Sequence, residues 1–169
     1  MNTVLLGNIV AFIGSIGSVL LGLSKDKKKT IFFQIIVYCV FCVANFILGG
    51  TSGLITNAIS IVRNIVCLKH EFTWQLKVVF MGLQGILIAI FNTEGLSALY
   101  PFIAVLIFVA YIDAGIVKFK SSISVAQIFW IMYDLSILNI SSCVFDVLTL
   151  ITNTYTLIQI VRHQNREAL

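Results

Sequence analysis

Asp134 and Asp146 are carboxylic acids set in sequence that is otherwise almost wholly apolar, and 89 residues earlier the corresponding positions hold Asn45 and Asn57. An ionisable group inside a membrane helix costs several kcal/mol unless it reaches water, a partner or a cavity, so the two aspartates are the first candidates for function. Each can carry a coupling proton or pair with a cationic solute. An asparagine offers both a donor and an acceptor, the chemistry needed to hold a neutral polar solute.

The same shift of 89 residues lays Ser60 on Thr149 and Asn64 on Asn153. Seven residues of helix make about two turns and rise ~10 Å, so Asn57, Ser60 and Asn64 form one polar stripe and Asp146, Thr149 and Asn153 a second. Trp130 and Tyr133 precede Asp134 by about a turn and by one residue. Their rings can stack on a solute or simply pack against neighbouring helices. Arg63 is the one basic residue inside an apolar run; its stem can snorkel to the headgroups, or its guanidinium can act as an inner gate or a counter-ion to a carboxylate.

These residues have to be positioned by elements that cross a bilayer. The 169-residue chain is 59% hydrophobic and only 11% charged, with mean hydropathy +1.04. That is too little polar surface to cover a water-soluble globule of this size. A hydrocarbon core about 30 Å thick needs ~20 apolar residues per helix, and seven runs supply them: 3 to 23, 30 to 49, 51 to 68, 73 to 91, 96 to 116, 123 to 139 and 141 to 161. They are continuously apolar and lack the alternation of membrane strands, which favours helices over a barrel. The first run reads as a helix, not a cleaved signal peptide, because no basic residue precedes it and a basic cluster, Lys25 to Lys29, ends it.

Lysines 25, 27, 28 and 29 follow run one, Lys69 and Lys77 flank the third break, Lys118 and Lys120 follow run five, and Arg162 and Arg166 follow run seven. The other breaks carry no Lys or Arg. The positive-inside rule then expects an outside N-terminus and a cytoplasmic C-terminus, and the net charge of +4 implies no nucleic-acid partner. Basic residues follow the first and third runs of each half, and an uncharged turn follows the second. The expected fold is therefore all-α and integral to the membrane, with seven transmembrane helices as two parallel three-helix repeats joined by a linker helix. Residues 1–70 form the first repeat, 71–93 the linker and 94–169 the second repeat with a short tail.

Gly7, Gly14, Ser15, Gly17 and Ser18 give run one a face for close helix approach, and Pro101 falls where a helix start tolerates it. Cys39, Cys42, Cys67 and Cys143 lie in apolar runs and read as small packing residues. No HExxH, Gly-rich phosphate loop or Ser/His/Asp set occurs, so neither an enzyme nor a metal or cofactor site is expected.

The chain resembles the YgjV-like bacterial inner-membrane proteins over nearly its whole length. The residues that carry the likeness are VY at 37 to 38 followed by Asn45, the NAI of positions 57 to 59, and Trp130, Tyr133, Asp134, Asp146, Asn153 and Arg162 at their spacing. More distantly its 3+1+3 pattern is similar to the SWEET sugar facilitators and the PnuC vitamin-precursor carriers, whose sites lie between the two triplets. That resemblance implies a bacterial cytoplasmic-membrane carrier of a small polar or cationic solute, such as a vitamin precursor, nucleoside or sugar, working by alternating access. Asn45, Asn57, Asn64, Asp134, Asp146 and Asn153 are then expected to bind solute or protons, with Trp130 and Tyr133 shaping the pocket. The expected partners are the solute and the lipid bilayer, with a homo-oligomer open. The competing expectation is a non-transporting receptor or assembly protein that presents its basic loops to a partner.

Overall fold

Uninterrupted apolar runs in lipid satisfy their backbone groups internally, and helices are the simplest way to do so. The computed structural model describes residues 2–167, and among these there are seven α-helices and no strand. They are α1 (Thr3–Leu23), α2 (Lys27–Leu48), α3 (Thr51–Lys69), α4 (Trp74–Phe91), α5 (Leu99–Ala110), α6 (Ile116–Ser136) and α7 (Ile140–Glu167). Five of them, α1 to α4 and α7, are long and apolar enough to cross a membrane. α5 is short, and a one-turn 3-10 helix, Gly95–Ala98, leads into it; the amide, lysine and carboxyl groups of α6 dilute its apolar run.

Several expected boundaries move: α2 starts at Lys27 instead of 30, and α7 continues past 161 to Glu167, which takes Arg162 and Arg166 into the helix. Run five, expected as 96 to 116, is a 3-10 turn and a twelve-residue helix that ends at Ala110. Run six starts at Ile116 instead of 123, which places Lys118 and Lys120 inside the helix instead of in a loop. The cause is visible at Lys120: it is fully buried, and its Nζ donates to the carbonyls of Leu21 at 3.2 Å and Gly22 at 3.0 Å. A cation on the last carbonyls of α1 satisfies acceptors that have no helical partner and complements the helix dipole. Lys77, also expected at a break, lies buried in the first turn of α4. Its Nζ donates to the Ala110 carbonyl at 3.0 Å, at the end of α5, and pairs with Asp113 at 2.6 Å.

The distribution of polarity is inverted relative to a water-soluble protein. Gln34, Asn45, Asn57, Asn64, Gln84, Asp134, Asp146 and Asn153 are all buried, while Ile13, Leu20, Ile86 and Ile151 are each about 60% exposed. Each such aliphatic side chain left in water would forgo ~1.5–3 kcal/mol, whereas a hydrocarbon solvent removes that penalty. An apolar cluster does exist, around Ile59, Phe80, Val105, Phe108 and Phe119, and it fills the seam where α3, α4, α5 and α6 meet.

Helix packing follows a ring. α1 lies against α2, α2 against α3, α3 against α5, α5 against α6, α6 against α7, and α7 returns to α1; α4 stands outside, against α3 and α5. The small residues of α1 make two of these contacts close. A Cβ on Gly14 would meet the Phe41 ring at 3.0 Å and one on Gly17 would meet Val37 at 2.7 Å, so the glycines serve packing against α2.

The α2–α3 and α6–α7 turns have matching geometry. Gly49 takes φ +76° and Leu138, 89 residues on, takes φ +58°. Gly50 N–H donates to the Asn45 carbonyl at 2.9 Å, and Asn139 N–H donates to the Asp134 carbonyl at 2.9 Å. Glycine adopts the left-handed region freely, but a leucine there is strained. Asn8 of α1 holds the second turn in place, donating from Nδ2 to the Leu138 carbonyl at 3.1 Å and accepting at Oδ1 from Ser141 N–H at 2.9 Å.

A buried carboxyl pair as the candidate functional site

Inside the ring a cavity of about 70 Å³ is lined by α1, α2, α3, α6 and α7. That is room for several waters. From α2 come Gln34, Tyr38, Phe41 and Asn45, from α3 Asn57, and from α6 Gln127, Trp130 and Asp134; Asp146, Thr149 and Asn153 come from α7. Helical spacing explains the grouping: Tyr38 and Asn45, Gln127 and Asp134, and Asp146 and Asn153 are each seven residues apart and share a face.

The two aspartates meet here. Both are buried, each 4% exposed, and their carboxyl groups lie close enough to interact directly. An ionised carboxylate can only accept, so a hydrogen bond between two carboxyl groups needs a proton between them. Asn139 Nδ2 donates to Asp134 Oδ1 at 3.0 Å, and the Gln127 side chain lies close to Asp146. Among the described residues the direct neighbours Asn139 and Gln127 are neutral.

Three further polar atoms on this cavity are buried with no hydrogen-bond partner: Asn45 Oδ1, Asn57 Nδ2 and Asn153 Oδ1. The orientation of Asn153 is fixed by its other end, because Nδ2 donates to the Lys120 carbonyl at 2.9 Å and to Ser124 Oγ at 2.8 Å. A buried unpaired amide atom costs ~1–3 kcal/mol, so three around one cavity mark places where an occupant completes the bonding.

Of the expected site residues, Asn45, Asn57, Trp130, Asp134, Asp146 and Asn153 line the cavity. Asn64 stands one layer behind it, donating from Nδ2 to Gln34 Oε1 at 3.1 Å. Tyr133 lies elsewhere. It is fully buried at the start of α3, where its hydroxyl accepts from Gly53 N–H at 2.8 Å and reaches Glu94 Oε1 at 3.4 Å. Glu94 itself accepts from Ser52 N–H and Ser52 Oγ–H, so Tyr133 and Glu94 together supply the caps that Gly50 cannot.

Arg63 does not snorkel. It is 1% exposed, its Nε and Nη2 donate to Asn64 Oδ1 at 3.1 and 3.0 Å, and its guanidinium stacks 4.5 Å from the centre of the Phe108 ring. Phe108, a member of the apolar cluster, covers one face of the guanidinium, and among the described residues no carboxylate pairs with it. Tyr38, on the cavity wall, interacts with both Arg63 and Asp146.

Gln34, Gln127 and Asn139 belong to the site although sequence reasoning passed over them, and Tyr38, which carried only the family likeness, joins them. The available signal was their register, since Gln127 precedes Asp134 and Tyr38 precedes Asn45 by two helical turns.

A family model described as "Bacterial inner membrane protein" (Imp-YgjV) matches residues 5–164. No curated protein and no solved structure matches the chain. The more distant likeness to SWEET and PnuC carriers therefore stays an expectation from sequence.

Proposed function

Because the chain belongs to the Imp-YgjV family of bacterial inner membrane proteins, we propose that it carries a small polar or cationic solute across that membrane by alternating access. The observation that carries the reading is the cavity itself: it brings together two interacting carboxyl groups and three unpaired amide atoms in the middle of a helix ring. Polar groups are that costly in a bilayer unless something occupies the space between them.

Seven spanning helices in a 3+1+3 order fit this use. The ring order is unchanged when α1, α2 and α3 are exchanged for α5, α6 and α7, and α4 stands outside it as a linker would. The two turns of matching geometry, 89 residues apart, belong to the same correspondence. Such a pair of triplets can rock about a shared site. The cross-contacts of Asn8 with the α6–α7 turn, and of Glu94 and Tyr133 with the start of α3, tie the triplets together at one end. That end is external if the basic residues face the cytoplasm. With ~300–1,000 Å³ usual for a drug-sized ligand site, a 70 Å³ cavity is narrow and suits a small occupant.

The test is uptake into proteoliposomes. Asp146→Asn and Asn57→Ala should each impair it while leaving insertion intact, and unchanged uptake in both would remove the assignment. A second reading, a non-transporting receptor or assembly protein, draws on a recess of about 620 Å³ at the other end, rimmed by Lys27, Lys28, Lys69 and His70. Neutralising those lysines separates the two, because a carrier still moves solute and a docking protein loses its partner.

A further inference from the structure

The carrier reading leaves open what occupies the cavity, and the chemistry around Asp134 and Asp146 narrows it. We propose that the carboxyl pair holds either one proton or one small organic cation, of the ammonium or guanidinium class, and exchanges one for the other. The inference rests on the carrier reading for its setting but can fail separately from it.

Charge is the first argument. With one proton between them the two carboxyl groups carry a net charge of −1. Arg63, buried and among the described residues without a carboxylate partner, supplies +1 and interacts with Tyr38, which also interacts with Asp146. If a monovalent cation enters and the shared proton leaves to the water on the open side, the two ionised carboxylates and the cation again sum to −1. The buried site therefore keeps one charge in both states and the Arg63 balance is undisturbed. A neutral solute cannot replace the proton, because the pair would be left as two adjacent ionised acceptors. An anion would add charge to a site that already holds a negative one.

The walls are the second argument. Asn45 Oδ1 and Asn153 Oδ1 are unpaired acceptors, which a donor-rich cation satisfies. Asn57 Nδ2 is an unpaired donor, for which a water beside the cation serves. Tyr38, Phe41 and Trp130 line the same space and offer aromatic faces to a cation. The volume of about 70 Å³ restricts the occupant in this state to a few heavy atoms.

Charged and titratable groups within electrostatic reach of the pair come from four helices: Tyr38 on α2, Arg63 on α3 through Tyr38, Cys143 on α7, and Tyr133 on α6, whose hydroxyl is turned away to the start of α3. α1 carries no titratable side chain. Lys120 is fourteen residues down α6 from Asp134, ~21 Å along the axis, and is engaged with α1.

The experiment is isothermal titration of the purified full chain in nanodiscs with guanidinium and methylammonium. Glycerol and acetate serve as neutral and anionic probes of similar size, and every titration is run in two buffers of different ionisation enthalpy. The expected result is binding of the cations with release of about one proton each, and an apparent Kd that rises about tenfold per unit fall in pH, as competition at one site requires. Asp146→Asn, nearly isosteric, should abolish proton release. The wild-type pH dependence tests the same point should that variant misfold. Cation binding without proton release, or glycerol binding as tightly as guanidinium, overturns the exchange. So does the absence of binding by either cation, even where proteoliposomes still transport another solute and the carrier reading stands. Cation binding with proton release but no flux through a bilayer supports the exchange and removes the carrier.

Discussion

Replacing Tyr133 by Phe keeps the ring and removes one oxygen. That oxygen is the acceptor for Gly53 N–H at 2.8 Å, in the first turn of α3, where helical backbone donors have no partner within the helix. The ring cannot simply shift to admit a substitute, because a Cβ at Gly53 would already lie 2.5–2.9 Å from Tyr133 atoms. A buried N–H left unpaired costs ~1–3 kcal/mol, and the 3.4 Å contact to Glu94 adds little at that length. Opening of the first turn of α3 should therefore become roughly 5- to 150-fold more frequent, the same range written as an equilibrium. The assay is amide hydrogen exchange over residues 50–56 in nanodiscs, with the middle of α7 as an internal reference. Glu94→Gln, which keeps an amide acceptor near Ser52 but removes the charge, should cost less, about 0.5–1 kcal/mol. The two changes should be non-additive, since the groups share one network. Unchanged protection of Gly53 in Tyr133→Phe would refute the reasoning and mean that this donor has another partner.

Leu138→Gly should stabilise the solubilised protein by up to about 1 kcal/mol in thermal unfolding, because the residue is 59% exposed and holds a left-handed conformation that its counterpart Gly49 adopts without strain. Lys120→Met, similar in length but uncharged, should lower stability by ~1–3 kcal/mol by leaving the buried Leu21 and Gly22 carbonyls without their donor, measured the same way. Asp113 sits on the turn after α5; partial burial acts to raise its pKa, but the hydrogen bond and charge of Lys77 outweigh this and hold it below the ordinary 3.8. Its contribution to stability is present above that value and lost as pH falls through the lower folded value. The stability gap between wild type and Asp113→Asn should accordingly shrink between pH 5 and pH 3.

Much of this was legible in the chain because apolar run length and polar register are local properties. Six of the seven α-helices begin within about three residues of their expected starts, and the pairing of Asn45 with Asn57 and of Asp134 with Asp146 led to the cavity. What escaped was set by contacts between distant segments. Lys118 and Lys120 look like loop residues until the end of α1 is seen to need a donor. Arg63 looks like a snorkelling residue until Phe108 and Asn64 enclose it. Tyr133, next to Asp134 in sequence, points to a different turn because adjacent helical residues diverge by about 100°.

The central claim, a carrier built around the Asp134–Asp146 pair, is tested most directly by uptake of a panel of labelled small neutral and cationic solutes into proteoliposomes holding either wild type or Asp146→Asn. The account predicts that at least one solute accumulates through the wild type and that its flux is lost in the variant at equal insertion. Equal flux through both proteins, or no flux of any member through either, would contradict it.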